Sequence, residues 1–187
     1  IHLVKYCANV QKMVVTDGDN YKRMWVNDTL TKYDQRATLD DNQGWRLINN
    51  RHIQMGGHTA ILELDDEILL GTDYLGGTNF LLRTTDFVSF RRTVVPDPYR
   101  HSIFQRLLSV QAGNDRHLWA WLDNMAVRKG SNAKGLLMYS QDNGQTWTKF
   151  IEYDGTHHWQ WVVSSSDDVL DYLLVMVDGK TFRIEYV

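Results

Sequence analysis

The chain has 187 residues, of which 43% are hydrophobic and 23% charged, and its formal net charge is -3. That is enough sequence for one ordinary domain with a buried core, and the composition is that of a folded chain, not of a disordered segment. The slight acidity gives no general attraction to phosphate backbones or anionic lipid, and apolar runs such as Ile61–Leu64 and Ile68–Leu70 fall far short of a bilayer span, so neither nucleic acid nor membrane insertion is expected.

In chain order, the first ten residues hold no charged n-region, apolar h-region and cleavage site. Because the chain opens on Ile1, a boundary cut from a longer polypeptide is expected. Leu3–Tyr6 reads as a strand, and the single cysteine, Cys7, excludes an internal disulfide and multi-cysteine zinc sites. Further β-branched and aromatic runs follow at Met13–Val15, Ile61–Leu64, Ile68–Leu70, Phe80–Leu82, Leu107–Val110, His117–Leu122 and Gly135–Tyr139. Asp, Asn and Gly clusters separate them and suit tight turns. Windows with apolar residues at helical spacing are scarce. Pro96 and Pro98 flank Asp97 between two strand-rich stretches, where a missing N–H donor breaks no ladder.

Many short strands fit a sandwich, a barrel or a propeller, and an internal period decides among them. Leu81–Asp86 can be laid on Leu137–Asp142, each preceded by two strand-like runs and followed by one. The expected fold is therefore all-β, a β-propeller of four-stranded blades with about four blades in this chain, as a complete small propeller or part of a larger one. The blades are expected at 11–50, 53–95, 103–153 and 159–187, the last completed by residues 1–8.

Ser140-Gln141-Asp142-Asn143-Gly144-Gln145-Thr146-Trp147 matches Ser-x-Asp-x-Gly-x-Thr-Trp at every defined position. In this segment the chain resembles the Asp-box, the bacterial neuraminidase repeat of sialidase-like β-propellers. Thr84-Thr85-Asp86-Phe87-Val88-Ser89-Phe90 resembles a degenerate copy, with Val88 in place of Gly and Phe90 in place of Trp. Asp178-Gly179-Lys180-Thr181-Phe182 is one residue short and reads equally well as an ordinary hairpin. The resemblance implies a structural role for Ser140, Asp142, Gly144, Thr146, Trp147, Thr84 and Asp86, at a corner away from any substrate face.

The resemblance also implies a catalytic set in the enzymes of the superfamily: three arginines, a Tyr and Glu pair, and an acidic Asp. That set is not evident here, and Phe182-Arg183-Ile184-Glu185 starts like the arginine motif but lacks its Pro. Other propeller glycosidases set carboxylates around a central funnel. The candidates are Asp73 and Asp123, each near the end of a second strand, although an acid capping a turn is the commoner reading. Asp65–Glu67 reads as a solvated hairpin loop. Trp119, Trp121, Trp159 and Trp161 alternate along two strands and read first as core between sheets, with stacking on sugars as the alternative if a pair faces a groove. The seven histidines show no metal spacing, and no phosphate loop, dinucleotide fingerprint or nucleophile elbow occurs; no metal or cofactor is expected. The first functional reading is a non-catalytic propeller module for binding a ligand, a glycan foremost, or for assembly in a larger secreted, cell-surface or virion protein. The rival is a glycoside hydrolase or a fragment of one.

Overall fold

A computed structural model describes residues 1–18, 22–29, 44–48, 57–112, 114–123, 134–153, 159–163, 172–177 and 179–185, with 159–163 as backbone only. Among them every regular element is a strand. β1 (Leu3–Cys7), β2 (Lys12–Thr16), β3 (Met24–Asn27) and β4 (Trp45–Leu47) form the first sheet. β5 (Gly57–Glu63), β6 (Ile68–Asp73), β7 (Phe80–Thr84) and β8 (Arg91–Val94) form the second, and β9 (Ile103–Ala112), β10 (Asp115–Asp123), β11 (Gly135–Ser140) and β12 (Thr148–Tyr153) the third. β13 (Trp159–Val163), β14 (Tyr172–Val177) and β15 (Lys180–Glu185) form a three-stranded fourth sheet. Each sheet is an antiparallel meander in which every strand pairs with its neighbours in sequence.

Strand side chains point alternately to opposite faces, and that alternation sorts the core into three layers. Cys7, Val14, Met24 and Val26 of the first sheet pack with Ile61, Ile68, Leu70, Phe80 and Leu82 of the second. The intervening residues Ala60, Leu62, Leu69 and Leu81 turn to the opposite face and meet Phe104, Leu107, Leu118, Ala120, Leu122, Leu136 and Met138 of the third. Trp119, Trp121 and Leu137 then leave the far face of the third sheet and meet Leu173 and Val175 of the fourth. The four sheets are thus stacked face to face in chain order. Leu70, Leu82, Leu122 and Leu137 are fully buried, and each such side chain contributes roughly 1.5–3 kcal/mol relative to an exposed one.

Close approach between the second and third sheets depends on one glycine. A Cβ on Gly71 would lie 2.3 Å from the Phe104 Cβ, so β9 can cross β6 only because that side chain is missing. The Thr59 hydroxyl donates to the Phe104 carbonyl across the same seam.

Residues 1–8 do not complete the last sheet. β1 pairs with β2 from Leu3↔Thr16 to Cys7↔Lys12, so the first sheet begins at Leu3 and not at residue 11. The reason is local: Ala8–Gln11 makes a tight turn in which Gln11 takes φ 52 and its N–H donates to the Ala8 carbonyl. A short hairpin closes at much lower entropic cost than a contact across the whole chain.

The layer between the first two sheets contains one polar anomaly. His58, paired with Thr72 at the start of β5, is fully buried, and neither ring nitrogen has a partner. Its carbonyl accepts the Thr16 hydroxyl at 2.7 Å, and the His2 and Asp73 side chains lie nearby, 3.6 Å apart. Burial alone pushes the His58 imidazole down from 6.5 to about 4. The unfolded chain therefore binds the extra proton between these values, so stability is full above pH 6.5 and falls as pH drops toward 4. We expect a loss of roughly 3 kcal/mol across that window, read from urea unfolding at stepped pH, and a flattened profile in His58→Phe.

Candidate functional site

The corner between β11 and β12 is built from short-range hydrogen bonds. The Ser140 hydroxyl donates to Asp142 Oδ1 at 2.7 Å and accepts the Gly144 N–H at 2.7 Å. Asp142 in turn accepts the Thr146 N–H at 2.8 Å and the Thr146 hydroxyl at 2.6 Å. Asn143 and Gly144 occupy the left-handed region, at φ 55 and 76, which favours Asn and Gly. Trp147 folds back so that its Nε1 donates to the Gly144 carbonyl at 3.0 Å, and its ring packs on the layer between the second and third sheets. The donors on Asp142, the Thr146 hydroxyl and N–H first, lower its carboxyl to about 2.

Between β7 and β8 the corner at Thr84–Phe90 repeats this plan in shortened form. The Thr84 hydroxyl accepts the Phe87 N–H at 2.9 Å, and Asp86 Oδ1 accepts the N–H groups of Val88 and Ser89 at 2.8 and 2.9 Å. Those two backbone donors, Ser89 before Val88, hold the Asp86 carboxyl below its ordinary value. Phe87 takes φ 57 where the other corner has Asn143, while Val88 stays out of the left-handed region. A single left-handed residue suffices here, so no glycine is needed at 88. Gly179, at φ 74, precedes β15, which pairs back onto β14 from Val177↔Lys180.

An arginine joins the first of these corners to the neighbouring sheet. Arg83 is 5% exposed, ion-pairs with Glu67, and donates from Nη2 to the Asn143 carbonyl at 2.8 Å. Glu67 and Asp65 belong to the acidic β5–β6 turn, and Asp65 pairs with Arg116 of β10. That turn therefore fastens the second sheet to the third. Sequence reasoning missed this role; the signal was a charge in an otherwise apolar strand, Phe-Leu-Leu-Arg-Thr.

Asp73 and Asp123 are the last residues of β6 and β10, the second strands of adjacent sheets. Asp73 faces His2 at 3.6 Å. Asp123 accepts the Tyr153 hydroxyl at 3.1 Å, and that same hydroxyl accepts the Trp121 Nε1–H at 2.9 Å. Burial, then the Asp123 charge, pushes the Tyr153 phenol far up, so it stays protonated and holds the carboxylate. Trp119 and Trp121 are 3% and 6% exposed, and the Trp119 ring lies 5.3 Å from Tyr139 and 5.2 Å from Phe150. Both tryptophans are core between the third and fourth sheets and offer no platform to a sugar in this arrangement. The side chains of Trp159 and Trp161 lie outside the described residues.

One concave feature opens the layer between the second and third sheets to solvent. This cleft of about 150 Å³ is walled by Leu81, Val94, Val95, Leu136, Met138 and Trp147, with Phe104 as its floor. Tyr99 and Lys149 also line it, and both contact Glu152, which accepts the Tyr99 hydroxyl and pairs with Lys149 and Lys134. Among the described residues no three His, Cys, Asp or Glu side chains converge to hold a metal, and no helix is long and apolar enough to cross a membrane.

No protein-family model and no curated protein matches the chain.

Arg83→Met takes from Glu67 the nearer of its two arginine partners, leaving Arg91 at 3.8 Å, and leaves the Asn143 carbonyl without this donor. We expect a loss of about 3 kcal/mol in chemical unfolding, with part recovered when Glu67→Gln is added. The Asp142 corner carries its own acid signature: its contribution is present above pH 3.8 and is lost as pH falls toward 2. In Asp142→Asn the acid limb of the thermal-melting profile should shrink.

Proposed function

We propose that the chain is a non-catalytic β-propeller module of the Asp-box kind, which binds a ligand, a glycan foremost, or assembles within a larger secreted, cell-surface or virion protein. The observation that supports this best is the order of the stack. Three four-stranded meanders and one three-stranded meander follow one another in space as they do in sequence, joined by core layers in which strands of the second and third sheets alternate between the sheet before and the sheet after. The fourth strands of two sheets are reached through corners of similar hydrogen bonding at Thr84–Phe90 and Ser140–Trp147. Among the described residues, Met13, Val15, Trp25 and Leu47 stand on the face of the first sheet away from the second, and Leu174 and Met176 on the face of the last away from the third. Faces of that kind suit a ring that closes on itself or continues into further blades.

The non-catalytic part of the reading draws on Asp123. Its carboxylate serves as the acceptor in a buried Trp121–Tyr153 network, which is a structural use of an acid. The rival reading, a glycoside hydrolase, draws on the placement of Asp73 and Asp123 at the ends of second strands in neighbouring sheets.

A glycan array and a panel of fluorogenic sialosides and arabinosides test the two together. The module reading expects binding without turnover, and Asp73→Asn and Asp123→Asn that leave binding intact. Turnover that disappears in either variant would establish the hydrolase in its place.

A further inference from the structure

The geometry points to the cleft between the second and third sheets as a binding site for a small carboxylate carrying one aromatic ring or a branched alkyl group of that size. This goes beyond the glycan or assembly reading and does not depend on it.

The size of the occupant follows from the space. At about 150 Å³ the cleft matches a cavity that in other proteins stays dry and accepts one benzene ring. A second ring would not fit without opening the seam. The chemistry of its body follows from the lining. Leu81, Val95, Phe104, Leu136 and Met138 are the same side chains that fill the buried layer between the two sheets. Water in the cleft finds few hydrogen-bonding partners there, and an apolar ring displaces it at little cost.

The walls are preformed. Leu81 stands on β7, Val94 on β8, and Leu136 and Met138 on β11. Trp147 is held by its bond to the Gly144 carbonyl, so the corner that shapes the hairpin also sets one wall of the cleft. Sites backed in this way lose little entropy on binding.

The polar end of the occupant follows from the charges at the mouth. Lys149 lines the cleft with its side chain 56% exposed, 3.3 Å from Glu152. Lys134 pairs with the same carboxylate, and the Tyr99 hydroxyl donates to it. Two ammonium groups and a phenol thus converge on one carboxylate, which leaves a net positive charge at the edge of an apolar pocket. A carboxylate set there completes the charge balance while its ring enters the cleft. A neutral ligand would gain the burial but not the ion pair, and a dianion would meet Glu152.

The test is titration of the full chain with 3-phenylpropionate and with 3-phenylpropanol, by calorimetry and by ligand-observed NMR. We expect sub-millimolar binding of the acid and binding of the alcohol weaker by about tenfold, the ratio that one well-placed charge interaction supplies. Lys149→Glu should weaken the acid by at least that factor and leave the alcohol unchanged. Met138→Trp should fill the cleft and abolish both while the melting transition persists; Thr93→Phe, at the exposed rim, is the second blocking variant should the first fail to fold. Equal affinity for acid and alcohol, indifference of the acid to Lys149→Glu, or no binding of either at millimolar concentration would each overturn the assignment.

Discussion

The inner strands of the second and third sheets, β6, β7, β10 and β11, have no solvent face, and the rest of the structure follows from that constraint. A sheet covered on one side alternates apolar and polar residues, but one covered on both needs apolar side chains at successive positions. Ile68-Leu69-Leu70 of β6, Phe80-Leu81-Leu82 of β7, Leu118–Leu122 of β10 and Leu136-Leu137-Met138 of β11 meet that need, and each run divides its residues between two core layers. Small residues set the spacing within those runs. Gly71 admits Phe104, and Ala120 lies between Trp119 and Trp121, so the large rings point to one side while the small side chain points to the other.

With both faces spent on packing, polar chemistry is confined to strand ends and corners. The two hydroxyl and carboxylate corners satisfy their own backbone donors, and their acids are stabilised as anions by N–H and O–H groups instead of by cations. Arg83 departs from this economy, since it brings a charge into the seam itself. Glu67 balances the charge and the Asn143 carbonyl takes a further donor; a hydrophobic side chain there would leave Glu67 to Arg91 alone and remove the link to the Asn143 carbonyl. The arginine thus acts as a register pin between sheets, a use of buried charge that favours specificity over raw stability.

The all-β class could be read from the sequence because turn residues fall at short intervals between β-branched and aromatic runs, a signal that needs no knowledge of partners. The corner at Ser140–Trp147 was equally readable, since its residue types are those whose side chains can bond their own turn. Three features were not. The partner of Leu3–Cys7 depended on Gln11 adopting a left-handed turn with no glycine to announce it. The layer that Trp119 and Trp121 enter depended on what lay opposite, because alternation shows that two rings share a face of the core but not which sheet covers it. His58 and Arg83 were hidden for a related reason: each sits beside apolar residues, and only the stacking of a neighbouring sheet turns an ordinary polar residue into a buried one.

Where such a molecule can meet a ligand follows from the same constraint. Strands inside the stack are shielded on both faces, so a ligand approaching them reaches strand ends and outer strands. At the strand ends, Asp73 faces His2 and Asp123 accepts the Tyr153 hydroxyl. The outer strands differ. Every residue of β8 is exposed, as are the first three of β12, and between these two edges the core layer reaches solvent without a cover. An apolar layer that ends in an open cleft has a hydration cost that a sealed layer lacks. It persists where the edge strands are held apart, and here Trp147 and Tyr99 stand between them, pinned respectively by the Gly144 carbonyl and by Glu152. The corner that resembles a purely structural motif therefore also supplies one wall of the apolar cleft between the second and third sheets, through Trp147.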